Sequence, residues 1–240
     1  MKGSSMFKSL APILVGAVLV AGCGAPDAGS QAETDIAADT THGVSTDPLA
    51  ATGFITTNSP PPATATEKNG VMRDGDGRPY TYDLFGETLP DVEGTMVTGE
   101  VRSTGALDQW TVIDVWGVWC GDCRKDGPYM AELADELAGR PDIDFLSIHT
   151  PASAARTDEA YGTYGSIGAY FDAVGFSYPT LVDPDAALRD ALQIAWTPSY
   201  LLVSPEGVVK GFRTDLSVAE GADPVADFLD DIERVRAETG

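Results

Sequence analysis

The run Thr111-Val-Ile-Asp-Val-Trp116 leads within three residues into Cys120-Gly-Asp-Cys123. It is almost continuous in β-branched and aromatic side chains, so it reads as a strand buried on both faces, as in parallel sheets covered by helices. From Cys120 the period changes. Met130, Leu133, Ala134 and Leu137 recur at i, i+3, i+4 and i+7, and Gly139 with Pro141 ends the pattern, which predicts a helix opening at Cys120. A thiol attacks only as thiolate, and the unpaired N–H groups and positive dipole end of a helix N-terminus stabilise that anion. Cys123 lies one turn in, close enough for an i,i+3 disulfide. The geometry makes Cys120 the exposed nucleophile and Cys123 the buried resolver.

Asp114 is the one acid in the strand. A carboxylate there is costly unless it is paired or used. Read functionally, it is a desolvated acid of raised pKa, one strand-length behind the cysteines, that takes the proton of Cys123. The plain alternative is an exposed acid on an edge strand, against which the apolar residues on both sides argue. Two other uses of a C-x-x-C pair fit less well. Structural zinc needs four ligands, and outside the cysteines the chain offers only His42 and His149. A staple closing so short a loop removes little chain entropy. No metal and no cofactor beyond the disulfide itself is expected.

The remaining pattern gives an α/β class. Strands are expected at 143–148, 179–182, 199–203 and 208–212, the last two as a hairpin around Ser204-Pro-Glu-Gly207. Helices are expected at 166–174, 186–192 and from Pro224, where Asp223 caps and Val225, Phe228, Leu229 and Ile232 share a face. Residues 80–110 read as strand or hairpin pieces broken by glycines. Parallel strands bring His149 toward the cysteine end of the sheet, although a surface place is the simpler reading for it. Trp116, Trp196 and the tyrosines at 161, 164, 170 and 178 read as packing residues, whereas Trp119, directly before the nucleophile, reads as docking surface.

Asp114, Trp116, Trp119, Cys120, Gly121, Cys123 and Pro128 resemble the thioredoxin pattern in identity and spacing, and Thr197-Pro198 stands where that family has its cis-proline. The stretch 149–196 looks like the helix–strand insertion of the membrane-anchored TlpA/ResA-like branch, related to AhpC/TSA proteins. The resemblance implies a three-layer sandwich with a mixed sheet, an N-terminal strand or hairpin extension, and that insertion before the cis-proline. It also implies a thiol:disulfide oxidoreductase of the cell envelope, acting as a reductant on protein thiols and disulfides, with apocytochrome c among the substrates of the branch. Its electrons would come from a membrane donor protein. Trp119, Gly121, Asp122, Thr197 and Pro198 would line the substrate groove. Asp122 departs from the usual proline there; its charge opposes the thiolate and complements the helix dipole. Pro128 would kink the helix. A peroxiredoxin-like peroxidase would want proline at 113 and threonine or serine at 117, where the chain has Ile113 and Gly117. A binding module that keeps the fold without catalysis is the remaining class.

The ends of the chain supply the location. Residues 2–20 read as an export signal, Lys2 and Lys8 preceding an apolar run too short for a comfortable membrane span. It ends in Leu19-Val-Ala-Gly-Cys23, which resembles the lipobox of bacterial lipoproteins and implies lipidation of Cys23. That leaves Cys120 and Cys123 only each other. The expected domains are a signal peptide at 1–22, a flexible Ala/Thr/Pro/Asp-rich tether at 23–76, held to the bilayer through Cys23, and a thioredoxin-like domain at 77–240. A formal charge of −22 excludes nucleic acid as a partner class, since phosphate binding needs a basic footprint. A monomer is expected.

Overall fold

The computed structural model describes residues 53–57, 59, 65–218 and 223–239; the leader, Cys23 and His42 lie outside them. The strand through Asp114 is central. It runs as β5 (Trp110–Trp116), with β1 (Thr66–Lys68), β2 (Val71–Arg73), β3 (Glu93–Met96) and β4 (Val101–Ser103) before it in the chain. After it come α1 (Gly121–Ala138), β6 (Ile143–His149), α2 (Ile167–Val174), β7 (Thr180–Val182), α3 (Ala187–Ala191), β8 (Ser199–Val203), β9 (Val209–Thr214) and α4 (Pro224–Thr239). A seven-stranded mixed sheet has the order β4-β3-β7-β6-β5-β8-β9. β5, β6 and β7 are parallel, and β8 returns antiparallel beside β5. The insertion before the cis-proline supplies α2 and β7, as the resemblance implied.

Alternation along β5 divides the core. Val112 and Trp116 pack with α1, α2 and α4 on one face, while Ile113 and Val115 pack with α3 and the 82–96 segment on the other. Asp114, in phase with Val112 and Trp116, therefore faces α1. The helix ends follow local chemistry. Ser166 Oγ accepts the Ala169 N–H at 3.1 Å, Gly175 turns left-handed at φ 77° to end α2, and Asp223 Oδ1 accepts the Ala226 N–H at 3.0 Å. α1 runs through Pro128.

The folded unit begins earlier than the expected boundary at 77. Phe54 is buried, packs edge-on to Phe228, and its N–H is bonded to Asp231; Ile55 pairs with Phe212 at the β9 edge. β1 and β2 form a separate hairpin around Asn69-Gly70, both at positive φ (57° and 81°). That is the geometry Asn-Gly supplies at least cost. Next to it Asp74 Oδ1 accepts the N–H groups of Asp76 and Arg78, so Asp74–Gly77 is a turn.

Candidate active site

Cys120 caps α1: its Sγ accepts the Cys123 N–H at 3.1 Å, the contact that also stabilises a thiolate at this position. The two cysteines form a disulfide. Their exposures are close, 7 % for Cys120 and 4 % for Cys123, so the expected exposed nucleophile is instead largely covered. The cause is local. The carbonyl of Thr197, preceding the cis peptide to Pro198, lies 3.4 Å from Cys120 Sγ. What separates the cysteines is position, since Cys120 is the N-cap of α1 and Cys123 lies within its first turn.

The loop before Cys120 is held from three sides. Arg124 donates to the Val118 carbonyl at 2.7 Å, the Trp119 indole N–H donates to the Thr150 carbonyl at 2.8 Å, and the Val118 N–H reaches His149 Nε2 at 3.2 Å. A Cβ at Gly117 would collide with the Trp119 indole, so only glycine fits there while Trp119 keeps this place. His149 is wholly buried, stacked on Tyr161 and edge-on to Trp116, which corrects the surface reading. Burial lowers its pKa to about 4, so the ring is neutral at neutral pH. Its Nε2 is also 3.2 Å from the Ala160 carbonyl; one nitrogen serves either contact in a given tautomer.

Asp114 is 1 % exposed. Its Oδ2 accepts from Ser147 Oγ at 3.3 Å, Ser147 in turn accepts the Trp116 indole N–H at 2.6 Å, and Oδ1 has no partner among the described residues. Burial, and then the neighbouring charge of Asp126, push its pKa well above the carboxylate range, which Ser147 only partly opposes. In the first turn of α1, Asp122 pairs with Lys125 at 2.7 Å, and a Cβ at Gly121 would meet only open space.

Two further acids were not read as site residues. Asp126, three residues past Cys123, is fully buried and accepts from Tyr200 Oη, Leu216 N and Ser217 N at 2.6, 2.6 and 2.8 Å. Asp215 accepts from Arg78 Nε at 2.8 Å and from the Trp196 indole at 3.1 Å; burial raises its pKa to about 6 against the pull of Arg78. An acid repeating Cys120 and Cys123 at three-residue spacing marks the helix face of Asp126. Nothing local marks Asp215.

Against known proteins, the AhpC/TSA family model matches residues 85–212. The chain is 25 % identical over 107 residues to the thiol-disulfide oxidoreductase ResA of Bacillus subtilis, covering 43 % of this chain and 54 % of that protein. It is 23 % identical over 141 residues to ResA of Geobacillus kaustophilus, covering 58 % and 75 %. Thus the chain spans about half the length of the first relative and three quarters of the second. Among solved structures, a candidate protein disulfide isomerase from Bacteroides thetaiotaomicron superposes at a TM-score of 0.50 with 19 % identity, over 65 % of this chain and 90 % of that one. These likenesses agree with the thioredoxin-like fold and the TlpA/ResA-like resemblance.

Proposed function

We propose, from the premise that this chain belongs to the AhpC/TSA family, that it is a thiol:disulfide oxidoreductase whose Cys120–Cys123 pair reduces protein disulfides. The observation that carries this reading is the pair itself, bridged at a helix N-terminus with the Thr197 carbonyl against Cys120 Sγ. In the reduced form, the Cys120 thiolate attacks one sulfur of the substrate disulfide and the other leaves as a thiolate that takes a proton. Cys123 passes its proton to Asp114 and attacks Cys120 Sγ. The mixed disulfide breaks, the second substrate thiolate departs, and the pair is left oxidised. Two electrons have passed to the substrate. A dithiol donor protein at the membrane restores them.

The raised pKa of Asp114 suits it to this transfer, since burial disfavours its charged form and makes it a better proton acceptor than an ordinary carboxylate. A peroxidase pocket is less well supported, because the place of Trp119 excludes a hydroxyl-bearing side chain at 117. The lipobox-like Cys23 supports a lipid anchor outside the cytoplasmic membrane, and no described helix is long and apolar enough to cross one. Cytochrome c maturation is one role open to such a reductant.

Titrating the Cys120–Cys123 couple of the full chain against dithiothreitol buffers tests the direction. A reductant gives a midpoint below about −200 mV; a midpoint near the strongly oxidising −120 mV contradicts it.

A further inference from the structure

Asp215 holds together two parts of the molecule that sequence order keeps far apart. It sits between β9 and the 3₁₀ turn Leu216–Val218, buried, in the left-handed region at φ 45°. Aspartate tolerates that conformation better than most residues do. The turn is pinned from the cysteine helix, where Asp126 receives the Leu216 and Ser217 N–H groups. So placed, Asp215 Oδ2 takes the Arg78 guanidinium on one side and the Trp196 indole on the other.

Each partner reaches further. Arg78 closes the turn after β2, donating to Asp76 at 2.7 Å, while the neighbouring Tyr80 N–H bonds the Met72 carbonyl at 2.8 Å. Trp196 directly precedes Thr197, whose carbonyl touches Cys120 Sγ. Between the hairpin and Trp196 lies a cleft lined by Lys68, Arg73, Asp74, Gly77 and Ala195. Hydrogen bonds and backbone links therefore run from Asp126 on α1 through the Leu216 N–H to Asp215. From its Oδ2 they continue through Trp196 to Thr197, whose carbonyl lies against Cys120 Sγ. Asp215 Oδ1 is buried without a partner among the described residues. A carboxylate buried with one oxygen unpartnered is costly to keep, which points to a use beyond packing.

We propose that Asp215 is a positioning residue for substrate docking: it makes the cis-proline segment and the β1–β2 hairpin one wall of the groove that presents an extended segment of a protein disulfide to Cys120. The proposal deepens the thiol:disulfide exchange reading and rests on it. A small disulfide with no flanking chain makes no use of that wall, so the variant loses discrimination between the two substrate classes.

The test measures kcat and KM of the full chain, with dithiothreitol as electron source, on insulin and on hydroxyethyl disulfide. For Asp215→Asn the ratio of kcat/KM on insulin to that on hydroxyethyl disulfide falls about tenfold, through KM for insulin. Trp196→Phe, which keeps a ring and loses the indole N–H, shifts the ratio the same way and decides the matter if Asp215→Asn does not fold. A ratio equal to the parent's in folded variants overturns the proposal while leaving exchange intact. A parent chain that reduces neither disulfide overturns the exchange reading and the proposal with it.

Discussion

Asp114 on β5 and Asp126 on α1 are buried in the same layer, 1 % and 0 % exposed, and the protein treats them in opposite ways. Asp126 receives three short hydrogen bonds from two separate segments, β8 and the turn after β9. Asp114 receives one long bond from Ser147, and its second oxygen goes without. Donors converging on a buried carboxylate turn it into a tie between elements. Donors withheld leave its charge uncompensated and favour its protonated form. One acid ties elements of the site together and the other is the proposed proton acceptor, and the charge of the first helps raise the pKa of the second.

The largest effect that tests this contrast is on the tie. Asp126→Ala strands the Tyr200 hydroxyl and two backbone N–H groups, and is expected to destabilise the fold by about 3 kcal/mol in urea unfolding at pH 8. A loss within about 0.5 kcal/mol, the range of ordinary surface changes, would erase the distinction.

Asp114→Asn is expected to act with the other sign and a smaller size. The folded protein holds the Asp114 proton more tightly than the unfolded chain does. The native state is therefore penalised as pH rises from the ordinary carboxylate range through the raised value. Removing the charge should stabilise the protein by about 1–2 kcal/mol at pH 8, with the gain shrinking as pH falls toward 4. A gain that stays constant with pH breaks the argument. The same substitution should slow release of the mixed disulfide more than its formation; equal slowing of both steps removes Asp114 as the base for Cys123.

The contrast also marks what the sequence could say. The β5–α1 unit was legible because its signals are contiguous: a β-branched run, a cysteine cap, a 3.6-residue period. Asp114 stood out because one acid interrupts an apolar run. Asp126 shares the spacing of the two cysteines, but its part as a tie shows only once Tyr200, 74 residues away, is folded against it. Asp215 depends on Arg78, 137 residues away. His149 was misplaced for the same reason, since the residues that bury it belong to other segments. The β1–β2 hairpin was missed despite a local signal. Asn69-Gly70 specifies such a turn, but proline- and alanine-rich surroundings masked it, and Phe54 was one ring in a polar stretch.

The proposed exchange assigns attack to Cys120 and resolution to Cys123. Incubating the full-length Cys123→Ala protein with a disulfide-bonded protein such as insulin, followed by mass spectrometry of the intact adduct, tests it most directly. The account predicts a stable mixed disulfide on Cys120, discharged by dithiothreitol and absent from the Cys120→Ala protein. No adduct on Cys120, or an equal one on Cys123 in the Cys120→Ala protein, would contradict it.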